Sequence, residues 1–181
     1  MKHVRIIFFT ILCISVFGPL TAASFSDWQI GPSVMIQPSE LDEIDRALSF
    51  GIDGRFRYRS LSGSLMLLYC RDVCPQDHEG IRINAYPQLG AVATIEQFRV
   101  GAYAGPRLGY FFNTGNDDAH FFDVAFAFRF NGDVHFGPVT LGLFYLMEGR
   151  ESLSTVTWDN WYTYFQDHRG RLGLSLLAML R

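Results

Sequence analysis

The stretch His120 to Asn131, HFFDVAFAFRFN, decides the fold. It alternates with a period of two: Phe122, Val124, Phe126, Phe128 and Phe130 share one face, and Asp123, Ala125, Ala127, Arg129 and Asn131 share the other. Strand side chains repeat every two residues and helical ones every 3.6, so this stretch is a strand. Its polar face is the informative one. Small residues punctuated by one guanidinium and one carboxylate suit a crowded, hydrogen-bonded interior, not a solvated coat of Lys, Glu and Gln. The opposite face is a row of Phe and Val too apolar to meet water on every strand. Apolar outside and polar inside is the pattern of a transmembrane barrel.

The same division runs outward from this stretch. Val100, Ala102, Ala104, Leu108, Tyr110 and Phe112 oppose Arg99, Gly101, Tyr103, Gly105, Arg107 and Gly109. Ile81, Ile83, Ala85, Leu89, Ala91, Ala93 and Ile95 oppose Arg82, Asn84, Tyr86, Gln88, Gly90, Thr94 and Glu96. Phe50, Ile52, Phe56 and Tyr58 oppose Asp53, Arg55, Arg57 and Arg59, while Leu172, Leu174, Leu176, Ala178 and Leu180 oppose Arg171, Gly173 and Ser175. Strands over 28–36, 46–59, 62–71, 80–94, 97–113, 119–131, 134–148 and 168–180 give eight. The connections then alternate long and short. The long ones cover 37–45, 72–79, 114–118 and 149–167; the short ones centre on Leu61, on Ile95-Glu96 and on Asn131-Gly132-Asp133. Short turns at one end and longer loops at the other are the asymmetry of an outer-membrane barrel with both termini in the periplasm.

On these strands and loops, residues 24–181 resemble the small eight-stranded outer-membrane proteins of the OmpX, OmpW and OmpA-barrel type. The resemblance is architectural. It implies an all-β, antiparallel, up-and-down transmembrane barrel in the bacterial outer membrane, in contact with its lipids. Such barrels commonly end in an aromatic residue, where this chain has Leu180 and Arg181. Pro87, Pro106 and Pro138 fall within the expected strands and remove ladder donors, which predicts bulges there. Val156 to Phe165 also reads as strand and is taken as an extension of the last hairpin above the membrane.

Residues 1–23 read as a secretory signal. Lys2, His3 and Arg5 precede the apolar run from Ile6 to Phe17; Gly18 and Pro19 break it, and Thr21-Ala22-Ala23 supplies small residues for cleavage after Ala23. That run is shorter than the roughly 20 residues a spanning helix needs. Leu12 before Cys13 argues against a lipoprotein site. Lys2 is the only lysine of the 181 residues, so beyond the signal the chain is basic through arginine and histidine alone. The acidic balance, with no basic stretch interleaved with aromatics, excludes nucleic acid as a partner.

Cys70 and Cys74 are the two cysteines after the signal. In an oxidising compartment they read as a disulfide stapling the second long loop; the competing reading is a metal site completed by His78 and by Asp77 or Glu79. No cofactor is expected, and the glycines at Gly101 and Gly105 open no helix that could seat a nucleotide. A lipid-modifying enzyme would draw on His120, Ser152 or Ser154, but no spacing puts a nucleophile and base on one strand face, so no enzyme is expected. Trp158, Trp161, Tyr162, Tyr164 and Phe165 form either the outer aromatic girdle or a loop contacting an extracellular or host ligand. Inside the barrel, Arg55, Arg57, Arg59, Arg82, Arg99, Arg107, Arg129 and Arg171 accompany Asp53, Glu96 and Asp123, an excess of five positive charges (8 − 3). Eight strands enclose an interior that side chains just fill. A closed, rigid barrel acting through its loops is therefore expected first, a small-molecule conduit second, and an enzyme last.

Overall fold

The computed structural model describes residues 27–73, 79–113, 120–149, 156–157 and 168–180. Eight strands form one closed antiparallel barrel in chain order. They are β1 (Asp27–Ile36), β2 (Leu48–Tyr58), β3 (Leu61–Val73), β4 (Glu79–Ile95), β5 (Phe98–Asn113), β6 (His120–Phe136), β7 (Val139–Gly149) and β8 (His168–Leu180). β8 returns to β1 through pairs from Trp28↔Leu180 to Ile36↔Leu172, which closes the wall. Outside the strands lie a 3₁₀ turn at Pro38–Glu40 and one helical turn, α1 (Ile44–Ala47), both in the first long connection. Val156 and Thr157 belong to no strand; the rest of the expected extension falls outside the described residues, as do 1–26 with the signal.

The alternation read from the sequence is the division between the two faces of the wall. Ile52, Leu65, Leu67, Ile83, Leu141, Leu143, Leu174 and Leu176 stand exposed on the outside together with Phe122 and Phe130. Exposed Trp28 and Tyr58 lie near the turns, and Tyr69 and Tyr110 near the loops, so the amphipathic rings border the aliphatic band at both ends. Strands of 10 to 17 residues exceed or match the about 9–11 that a tilted membrane-spanning strand requires.

Three expectations change. β6 does not turn at Asn131-Gly132-Asp133; it continues to Phe136, and Gly137 with φ +60° makes the turn beside Pro138. Local Asn-Gly chemistry gave way to the long β5–β6 ladder, which runs from Phe98↔Val134 to Phe112↔His120 without a slip. Pro138 is thus a turn residue. Pro87 and Pro106 produce no bulge: β4–β5 pairing stops after Ala85↔Leu108 and resumes at Leu89↔Ala104 with the same offset. The two prolines stand opposite each other, so their missing donors coincide in one gap of the ladder. Close approach there depends on Gly105, where a Cβ would lie 2.2 Å from the Pro87 carbonyl oxygen.

Candidate functional site: the charged lumen

The lumen is filled in layers. At the waist, Asp53 (β2) and Arg129 (β6) are fully buried at 0% exposure and form an ion pair. The same guanidinium donates from Nη1 to Asp53 Oδ1 at 3.0 Å and from Nε to Asn131 Oδ1 at 2.8 Å. Its flat face lies over the Phe144 ring, with Cζ 4.3 Å from the centroid. Arg55 completes the group, donating from Nε to Asp53 Oδ2 at 2.9 Å, from Nη1 to Asp133 Oδ2 at 2.7 Å and from Nη2 to Ser175 Oγ at 2.9 Å. Two arginines face two carboxylates, so the waist is neutral. Planar guanidinium forks can satisfy several acceptors at once, which is why this layer is built from arginine.

Toward the loops, an apolar layer of Met35, Met66, Leu68, Phe144 and Leu146 packs around buried Tyr86. Tyr86 donates its hydroxyl to Glu148 Oε2 at 2.8 Å, and Glu148 pairs with Arg171 at 3.0 Å. Beyond it, Asp123 accepts from Arg82 at 2.7 Å and also pairs with Arg107. The Arg82 guanidinium lies beside the stacked pair Phe111 and Phe121, 5.8 and 5.3 Å from their centroids. At the opposite end, Asp27 pairs with Arg99 at 2.9 Å and stands 3.7 Å from Arg57, which donates to Thr94 Oγ1 at 2.9 Å.

Most of the expected lumen residues meet in these layers: Asp53, Arg55, Arg57, Arg82, Arg99, Arg107, Asp123, Arg129 and Arg171. Arg59 and Glu96 do not. Both are exposed turn residues at positive φ, +58° and +54°, where the strand's alternation no longer applies. Arg59 instead lies over the Tyr58 ring, 5.4 Å from its centroid. Asp27, Asp133 and Glu148 were not expected. Among the described lumen residues, ion pairs therefore join seven arginines to five carboxylates, an excess of two positive charges (7 − 5) rather than five. Extending the alternation of β6 through Gly132 would have found Asp133.

Removing the Tyr86 hydroxyl leaves one oxygen of a buried carboxylate short of a donor. Tyr86→Phe is expected to cost about 1.5–3 kcal/mol, the range for a hydrogen bond to a charged group. Urea unfolding of the refolded protein measures it, and a midpoint equal to that of the unaltered chain would contradict the assigned bond.

Cys70 is buried on the lumen face of β3, where its sulfur accepts from Asn84 Nδ2 at 3.6 Å and lies 3.7 Å from the Arg82 carbonyl oxygen. Cys74 is outside the described residues, and with it the expected pairing; so are Asp77 and His78 of the metal alternative. Trp158, Trp161, Tyr162, Tyr164 and Phe165, with Ser152 and Ser154, also fall outside them. His120 begins β6 on the outer face, its ring 6.5 Å from Tyr110 and 6.0 Å from Phe112, as a member of an aromatic cluster near the loops.

No family model matches the chain, and no curated protein matches it. Among solved structures it is similar to Neisserial surface protein A (NspA), at 10% sequence identity and a TM-score of 0.43, over 85% of this chain and 93% of that chain.

Proposed function

We propose that the protein is an integral outer-membrane barrel of a bacterial envelope, exported with loss of residues 1–23. Its role in this reading is structural and interactive: it supports the envelope and presents its long loops, with Trp158, Trp161, Tyr162 and Tyr164 as contact residues for an extracellular or host ligand. The carrying observation is the combination of an apolar outer wall with a bore occupied by its own side chains. A water-soluble barrel would present the charged face outward. A conduit would need an open lumen, and the neutral waist around Asp53, Arg55, Arg129 and Asp133 argues against a fixed charge guiding solutes through it.

The reading includes a Cys70–Cys74 disulfide. An extended β3 carries the chain about 10 Å beyond Cys70 by Val73, whereas bridged Cα atoms lie within about 7 Å. The bond thus requires the Asp72↔Gly80 and Val73↔Glu79 rungs to open. Alkylation of the unfolded, unreduced protein is expected to label neither sulfur; labelling of both would remove the staple from the reading.

Planar-bilayer recording of the refolded protein is the test of role. No steady conductance is expected. Anion-selective conductance that changes in Arg107→Gln or Arg129→Gln would make the conduit primary. Gel mobility that depends on heating, together with fractionation into the outer membrane, checks the barrel and its location; stable monomeric behaviour in plain buffer would overturn both.

A further inference from the structure

The turn end of the lumen carries a charge arrangement that is incomplete among the described residues. Five strands contribute to it: Asp27 from β1, Arg57 from β2, Thr94 from β4, Arg99 from β5 and His135 from β6. Arg99 Nη2 donates to Asp27 Oδ2 at 2.9 Å, and Arg57 Nε stands 3.7 Å from that same oxygen. Two guanidiniums thus converge on one carboxylate oxygen. Asp133, the next lumen carboxylate along β6, is held by Arg55 at the waist. Among the described residues one positive charge of this group remains uncompensated, although Arg99 is only 8% exposed. Partly buried charge without a partner is costly, and the low-dielectric walls strengthen the attraction of any anion that enters.

The unsatisfied polar atoms have matching chemistry. Arg57 Nε, Arg99 Nε and His135 Nε2 are buried without a hydrogen-bond partner among the described residues. His135 Nδ1 lies 2.7 Å from Thr140 Oγ1. When Nδ1 accepts that hydroxyl's proton, the ring's own N–H is on Nε2, so all three atoms are donors. A group that brings two or more acceptor oxygens and one negative charge satisfies both the charge and these donors once the half-buried Arg57 and His135 side chains turn to meet it.

We propose that the turn end of the lumen is a binding seat for a small oxyanion, a carboxylate or a phosphate, held by Arg57, Arg99 and His135. Asp27 is its internal competitor: it occupies both guanidiniums when the seat is empty and lowers the affinity for the ligand. The seat rests on the charges and unpartnered donors of the turn end; its facing the periplasm rests on the proposed orientation.

Thermal unfolding in detergent tests it, at fixed pH and ionic strength, with chloride replaced stepwise by inorganic phosphate in one series and by acetate in another. A saturable rise of Tm is expected in at least one series, and the series that saturates identifies the oxyanion class. Arg57→Gln and Arg99→Gln are each expected to weaken the apparent affinity about tenfold, the loss of one charge-assisted fork. Asp27→Asn is expected to strengthen it, an effect that general destabilisation would not produce. Arg57 is the more exposed of the two arginines, so its variant keeps the test available should Arg99→Gln fail to fold. The seat is overturned by the absence of saturation in both series, or by an equal rise in Arg57→Gln. Either result leaves the membrane reading standing, because that reading is tested by fractionation.

Discussion

Asp53→Ala is expected to destabilise the folded barrel by about 3–5 kcal/mol, the cost of leaving buried charge without its partner. The substitution strips Arg129 of its carboxylate in a site with no exposure, and it removes one of the two carboxylates that hold Arg55. Urea titration of the refolded protein, followed by tryptophan fluorescence and by gel mobility, measures the loss. The double variant Asp53→Ala, Arg129→Met is expected to be more stable than Asp53→Ala alone, since the stranded guanidinium leaves with its partner. Directly bonded residues couple by about 0.5–3 kcal/mol. Simple additivity of the two single losses would contradict the waist as described.

The second large effect lies on the other face of the wall. Phe126 stands on the outside of β6, its ring 5.0 Å from that of Phe128. Phe126→Arg is expected to cost about 2–4 kcal/mol in a lipid bilayer, because a guanidinium near the midplane has no polar partner. Phe136→Arg, on the same strand beside the Gly137 turn, is expected to cost only about 0–1 kcal/mol. The comparison separates depth in hydrocarbon from loss of aromatic packing. Equal costs at the two positions would place β6 outside a bilayer.

The strands whose two faces differ in chemistry were legible from the sequence. β5, β6 and β8 alternate as read, and the inward arginines at 99, 107, 129 and 171 follow from that alternation alone. β3 and β7 were less legible because both of their faces are apolar in part. Met66, Leu68, Phe144 and Leu146 fill the lumen, while a rule that sends apolar residues outward leaves the bore to polar groups. An eight-stranded interior is too narrow to stay wet throughout, and some of it is packed with hydrocarbon. The charge balance departs from strand parity for a related reason. Arg59 and Glu96 were carried into the lumen by strand parity although the chain had already turned, and Asp133 was assigned to a turn that the β5–β6 ladder overrides. Carboxylate partners in a barrel come from strands distant in the chain, so the spacing around each arginine does not reveal them.

In the proposed membrane setting, the waist has a consequence for how the barrel assembles. Its bonds join β2 to β6 and β2 to β8: Asp53 to Arg129, Arg55 to Asp133 and Arg55 to Ser175. None of these contacts exists within a single hairpin. A hairpin entering the bilayer by itself would carry Arg129 through hydrocarbon without Asp53, at about 2.5–3.5 kcal/mol, whereas Asp53 would keep Arg55 of its own strand beside it. The assembly route that avoids this brings the first and last strands together before, or while, the middle of the wall crosses. Closure and insertion are then one event, and the pairs at the waist act as the catch that keeps a half-built wall from entering.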